Sequence, residues 1–415
     1  MASGKYINPN KIDRTANALK AERNHHIITH NPSNINPNET LYVRIPRLTQ
    51  DTFYVPNSIY LSADITLSGN DKNMVVNNVG RYLIKKFAVK IGSETVFILN
   101  DYNLFMNYKD LWLTKAQRKN LVFQGIQSSN LNKLRSSATD ANVTNAKDNI
   151  MFSIYGNKYK IPLDFELINN NAPLYKHAIQ EDLIFEITFA PISDIIISES
   201  ITNWNYKLSN ICLEYDTVTD ATIASTIQTR YQQGYSVLYD YIDKFKTVNI
   251  AANDEIIHEN VNFPRNSIKG ILLLFTKTFA DGSIQVDKYY NPGITKLEIT
   301  IEGIANKIFC QSMRMLDQFT EIRKHFMPEN LKLTDDCNIN LENYYTDDKY
   351  ALWIDFRTTE DNTLHGSGLR LKNTKDGVQI FMKKKTGEGP YKMHVFIISD
   401  SALHITNSQL NSVQL

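Results

Sequence analysis

His25, His26 and His30 form the densest histidine cluster in this 415-residue chain. On a helix, His26 and His30 would share a face at i, i+4, a spacing that can hold a transition metal. No cysteine or carboxylate stands beside them, and nothing nearby promises a closed cavity, so the cluster reads as part of a solvated arm. His177, His258, His325, His365 and His394 are scattered singly, and no His-x-His pair exists. A cupin-type enzyme would need His and Glu ligands converging from facing strands. Asp335-Asp336-Cys337 and Asp347-Asp348 flank turns and read as solvated loops rather than a calcium or acid–base site. Lys383-Lys384-Lys385 ends a strand and reads as a solvated edge that discourages strand pairing. No phosphate loop, dinucleotide fingerprint or nucleophile elbow occurs. The residue types therefore point away from catalysis, and no cofactor or metal is expected.

A different constellation lies between Tyr350 and Arg370. On a strand there, Leu352, Ile354 and Phe356 take one face, and Trp353, Asp355 and Arg357 take the other. A large aromatic beside an i, i+2 acid–base pair on a non-core face is an interface composition. Trp353, Asp355, Arg357, His365 and Arg370 are accordingly the candidate subunit-interface residues. The competing reading is that Trp353 is covered by the protein's own long loop.

The elements that must position these residues are strands. The composition is 42% hydrophobic and 21% charged, as in a folded globular protein, and the length fits two domains. Net charge is +1, which gives no general electrostatic case for nucleic acid or anionic membranes. Cys212, Cys310 and Cys337 are odd in number and far apart, as in reduced, mostly buried thiols. Met1 to Lys20 lacks the apolar core of a signal peptide, and Ile271 to Phe275 is far shorter than the roughly 20 residues of a membrane span. The sequons at Asn38 and Asn142 are therefore read as chance matches.

Residues 1–37 show little periodicity and read as an arm that orders only against a neighbour. From Leu41 the pattern becomes period two: Leu41, Val43 and Ile45 share a face, as do Ile59, Leu61, Ala63, Ile65 and Leu67. One small structure then appears twice, half a chain apart. Lys86–Ile91, a turn at Gly92-Ser93, Glu94–Leu99 and a helix from Asp101 are matched by Lys296–Ile301, Glu302-Gly303, Ile304–Phe309 and a helix from Gln311. The first helix aligns Leu104, Tyr108, Leu111 and Trp112 on one stripe; the second aligns Met315, Phe319, Ile322 and Phe326. Gln124 to Asn149 reads as a long surface loop. Thr219 and Asp220 can cap a short connecting helix at 218–234. Many short strands with one helix per half read as two β-sandwiches with Greek-key or jelly-roll wiring, not a doubly wound α/β fold.

The chain resembles the major capsid proteins of the double jelly-roll lineage, especially those of Polinton and adintovirus-like elements. The stretches that carry the resemblance are Tyr350 to Arg370, Asn373 to Gly377 and Val395 to Asp400, with Ile161 to Phe165, Ala172 to Tyr175, Phe185 to Phe189 and Leu213 to Asp216 in the first half. It covers about residues 40 to 405 and is strongest near the C-terminus. The resemblance implies an all-β fold of two tandem eight-stranded jelly rolls, 38–217 and 235–415, each with a short flanking helix. It implies a virion protein and no enzyme. Homotrimers would act as pseudo-hexameric, hexon-like capsomers that self-assemble into an icosahedral capsid. Neighbouring capsomers, vertex (penton) proteins and minor capsid proteins are the implied partners. Synthesis would be in the host cytoplasm, with assembly there or in the nucleus. The rival reading is a tandem β-sandwich that binds carbohydrate or another ligand by stacking it on Trp353 or Trp204.

Overall fold

In the computed structural model, residues 22–30, 34–45, 51–55, 57–68, 74–126, 158–164, 167, 178–197, 204–278, 284–305, 314–327, 339–346, 348–359, 365–372 and 377–415 are described. The expectations placed on Cys310, Cys337, His177, Asn142, Asp335 and most of the 124–149 loop lie outside them.

The first half builds β1 (Glu22–Thr29), β2 (Thr40–Ile45), β3 (Tyr60–Ser68), β4 (Ile84–Ile91), β5 (Glu94–Asn100), β6 (Lys158–Pro162), β7 (Leu183–Phe189) and β8 (Asn205–Thr219). They pair antiparallel in two sheets, ordered β1-β8-β3-β6 and β2-β7-β4-β5. Consecutive strands β1 and β2 fall in different sheets, so hydrogen-bonded neighbours are mostly distant in sequence. The period-two faces form the core: Leu41, Val43 and Ile45 on β2 and Leu61, Ala63, Ile65 and Leu67 on β3 are all buried.

The second half builds β9 (Tyr235–Ile250), β10 (Ile256–Val261), β11 (Ile268–Thr278), β12 (Ile294–Ile301), β13 (Ile304–Ala305), β14 (Ala351–Asp355), β15 (Val378–Lys384) and β16 (Tyr391–Thr406), with a final strand β17 (Gln409–Gln414). Its sheets run β9-β16-β11, with β14 on the other side of β11, and β10-β15-β12-β13. Adding eight to each first-half label reproduces the second half, so the repeated hairpin is one fragment of a repeated topology. The turn between β12 and β13 places Glu302 at φ 50° and Gly303 at φ 76°, the type I′ geometry suited to a two-residue hairpin.

Among the described residues the α-helices of six or more residues are α1 (Tyr102–Leu111), α2 (Lys115–Asn120), α3 (Ala221–Gln233), α4 (Met315–Phe326) and α5 (Leu341–Thr346). α3 is the expected connector, capped by Asp220, whose carboxylate accepts from the Thr222 and Ile223 amides at 3.0 Å each. Two compact units result, and they cut across the sequence halves. Unit 1 comprises Met1–Asn103, Leu121–Tyr241 and Ser401–Leu415; unit 2 comprises Leu104–Asn120 and Ile242–Asp400. The stretch from Leu104 to Asn120 thus belongs with the second half's strands, and the last fifteen residues with the first half's.

Two expectations are corrected. Within the arm assigned to 1–37, Glu22–Thr29 is a strand paired over all eight residues with β8 of the same chain. Arg23 to Thr29 are half-buried or exposed, so a hydrogen-bond ladder and polar side chains hold the strand rather than an apolar stripe. Lys384 is not a solvated edge, because β15 lies between β10 and β12. Its buried ammonium donates to the carbonyls of Ala252 and Glu388, each at 2.9 Å, and to Lys385 at 3.3 Å.

Candidate subunit interface

Strand β14 places Trp353 opposite Leu272 of β11. Ala351, Leu352, Trp353 and Ile354 are all buried, so the strand is covered on both faces and its alternation exposes nothing. The cover over Trp353 is helix α4, whose His325 ring stacks on the indole while Phe326 meets it edge-on at 6.1 Å. Trp353 is 1% exposed. The expected non-core surface position is therefore corrected: helix α4, not a loop, covers the residue. An uninterrupted apolar run, Ala351 to Ile354, was the sequence signal for a strand buried on both sides.

Asp355 and Arg357 pair with each other. The guanidinium donates from Nε at 2.9 and 3.1 Å, and again from Nη2, while its side chain is fully buried. Burial pushes the Asp355 carboxyl up, but the Arg357 hydrogen bonds and charge outweigh it and hold the group below its ordinary range. His365 is turned inward as well, with Nδ1 3.2 Å from Asp400 Oδ1. The same carboxylate receives Lys269 Nζ at 3.1 Å, the Ser267 hydroxyl at 2.5 Å and the Gly366 amide at 2.9 Å. Burial raises Asp400, yet His365, Lys269 and Ser267 together bring it down to about 2. Arg370 is exposed. Of the five candidates, Arg370 reaches solvent fully, His365 in part, and Trp353 does not reach it at all.

Other expectations concerned histidine and tryptophan. His25 and His26 are adjacent on β1 and so take opposite faces. His25 meets Asp216 at 2.7 Å, and His26 meets the Thr217 hydroxyl at 2.8 Å. Among the described residues no group of three or more His, Cys, Asp or Glu is placed to hold a metal. All three tryptophans, Trp112, Trp204 and Trp353, are buried, so neither Trp204 nor Trp353 offers a stacking platform to a sugar.

Sequence reasoning read the stripe on α1 but missed its partners. In unit 2, Trp112 stacks on Phe319 and Phe326 of α4, and Tyr108 meets Phe326 edge-on at 5.6 Å. The Tyr289 hydroxyl donates to Leu104 O at 2.9 Å and accepts from Asn107 Nδ2 at 3.0 Å. Exposed apolar side chains in this unit include Leu316, Leu341 and Tyr345. Leu316 stands off the Met315–Phe319–Ile322–Phe326 stripe, and that offset was the available signal.

No family model matches the sequence, and no curated protein matches it either. Solved structures do. The chain is similar to VP54 of PBCV-1, seen in a crystal structure fitted into a reconstruction of the virophage Sputnik, with TM-score 0.61 and 10% identity over 94% of this chain and 96% of that one. It has the double jelly-roll fold. The Faustovirus major capsid protein gives TM-score 0.61 and 9% identity over 93% of this chain and 90% of its own. The mavirus major capsid protein gives TM-score 0.54 and 11% identity over 94% and 90%. Each match spans both halves, so the double jelly roll is shared as a whole, through the backbone rather than through conserved side chains.

Proposed function

We propose that this chain is a viral major capsid protein whose homotrimers form pseudo-hexameric capsomers that tile an icosahedral shell. One observation carries the reading: a single chain holds two rolls of the same strand order, in a fold shared along nearly the full length with the PBCV-1, Faustovirus and mavirus proteins. Three such chains bring six similar rolls to the corners of a hexagon. Similar but non-identical halves are what quasi-equivalent corners require, and a closed ring of three satisfies every heterologous contact. The protein then resides in the virion shell, with vertex and minor capsid proteins where flat capsomers cannot close the surface. Arg370 and the partly exposed His365 are the interface candidates that keep a surface position.

The test is direct. Light scattering on the purified chain should give three times the 47.7 kDa subunit mass, and negative-stain images should show hexagonal particles. A stable monomer at high concentration overturns the reading.

A further inference from the structure

The two edges of β8 hold their neighbours by different means. On one edge β3 contributes Leu61, Ala63, Ile65 and Leu67 to the core. On the other edge lies β1, and none of its side chains from Arg23 to Thr29 is buried. Among the described residues β8 is the only strand that β1 pairs with. The apolar burial that anchors β3 is therefore missing from β1. Its backbone ladder exchanges bonds with water when it opens, so the ladder's net contribution is modest.

What remains is a small charge cluster on one face. Residues opposite each other on an antiparallel pair share a face, and here Arg23, His25 and Ile27 lie over Val218, Asp216 and Glu214. Arg23 donates to Asp216 from Nε at 3.1 Å and again from Nη2. His25 Nδ1 lies 2.7 Å from Asp216 Oδ1, and its Nε2 lies 3.7 Å from Glu214 Oε2. The His25 hydrogen bond, with Arg23 beside it, holds the Asp216 carboxyl below its ordinary range against the opposing effect of burial. Arg23 and His25 are 66% and 53% exposed, so their contacts lie where dissolved salt screens them. On the opposite face His26 stacks on Tyr215 with ring centroids 5.1 Å apart.

The sheet beneath does not need β1. Glu214 is also paired with Lys158 at 3.3 Å and with Lys160, both on β6, so its buried carboxylate keeps its counter-charges when His25 leaves.

We propose that β1 is a releasable strap, which opens from β8 as a unit while the rest of unit 1 stays folded, and that the Arg23–Asp216–His25 cluster is its latch. Each opening bares the edge of β8 from Cys212 to Thr219, an eight-residue row whose outward N–H and C=O groups are free to receive a strand. The inference is a property of the chain itself and stands apart from the capsomer reading.

Hydrogen exchange followed by mass spectrometry on the full-length chain tests it, with β3 as the internal reference. At about 0.05 M sodium chloride, β1 amides should exchange about a hundredfold or more faster than β3 amides, because sub-global opening needs less free energy than unfolding the core. At about 1 M, where the screening length falls to about 3 Å, β1 should exchange about tenfold faster again while β3 is unchanged. Asp216→Asn should bring β1 to the fast rate at low salt, about a tenfold rise, and remove its response to salt. β1 amides as protected as those of β3 overturn the strap. A salt response that survives in Asp216→Asn overturns the latch, and so does fast exchange without any salt response in the natural chain. Equal acceleration of β1 and β3 in the variant overturns independent opening. Should Asp216→Asn misfold, Arg23→Gln removes one exposed contact from β1 itself: exchange a few times faster in β1 alone is expected, and an unchanged rate overturns the latch.

Discussion

The imidazole of His325 lies flat on the indole of Trp353, with ring centroids 3.8 Å apart and planes 10° apart. That contact clamps α4 onto β14 and removes from the surface the aromatic residue that a strand-alternation argument places there. Gly270 also lies hard against the indole. A Cβ at that position would stand 2.3 Å from Trp353 Cζ2 and 2.6 Å from the Ile354 carbonyl oxygen. Both neighbours are buried, so the packing leaves no room for even a methyl group.

Gly270→Ala should therefore destabilise unit 2 by about 1–3 kcal/mol through overpacking, and Trp353→Ala by about 3–5 kcal/mol through the cavity it leaves. Arg370→Ala, at an exposed position, should stay within about 0.5 kcal/mol. Denaturant titrations of the three variants check this. A Trp353→Ala variant as stable as Arg370→Ala would contradict the buried placement.

Trp112→Ala should weaken unit 2 rather than unit 1, although the residue lies in the first half of the sequence. The indole stacks against both Phe319 and Phe326, and truncating such a buried aromatic costs about 3–5 kcal/mol. Hydrogen exchange should accelerate in α4 and β14 while β2 and β7 keep their protection. Acceleration confined to β2 and β7 would reverse the assignment of α1.

Asp400 makes stability depend on pH in a defined window. Its folded value, about 2, lies below the ordinary 3.8, so the ionised form contributes stability that is fully present above about pH 4. That contribution is lost as pH falls toward 2, and it amounts to about 2 kcal/mol. Asp400→Asn should abolish this part of the acid sensitivity. At neutral pH it should cost about 3–5 kcal/mol, because the buried Lys269 ammonium loses its counter-charge. Unfolding curves at pH 7 and pH 3 for both proteins provide the check, with an equal acid response in the two as the contrary result.

Asp220→Ala should cost about 1 kcal/mol, since it leaves the Thr222 and Ile223 amides at the start of α3 without their acceptor. Asp220→Ser should restore most of the loss, because a hydroxyl can accept the same bonds. Thermal melts of the pair decide it. A serine variant as weak as the alanine one would remove capping from the account.

Much of the fold is legible in residue order because strand alternation is local. Leu41-x-Val43-x-Ile45 and the run from Leu61 to Leu67 bury the faces their spacing indicates. Asp220 caps the helix it precedes, and the two hairpins turn at Gly92-Ser93 and Glu302-Gly303. The strand at Glu22–Thr29 was illegible for the same reason in reverse. Its pairing with β8 spans almost two hundred residues, and its side chains alternate in polarity too weakly to mark a face. The candidate interface was misread where two cues conflicted. The apolar run Ala351 to Ile354 already marked a strand covered on both sides, but the acid–base pair at Asp355 and Arg357 was given more weight, and helix α4 above Trp353 decides the matter.

The sequence by itself determined the strands, the repeated hairpin and helix, the capped connector and a resemblance to the double jelly-roll lineage. Those depend on hydrophobic period and turn chemistry, which act over a few residues. Only the tertiary structure decided that residues 104–120 complete unit 2, that Trp353 is a core residue under α4, that Asp355 and Arg357 neutralise each other, and that Leu316, Leu341 and Tyr345 share one exposed groove. Except for the Asp355–Arg357 pair, whose burial rather than whose spacing the tertiary structure decides, each of these joins separate segments of the chain. Burial there is set by which elements meet, and that is settled by packing the whole chain at once rather than by any local pattern.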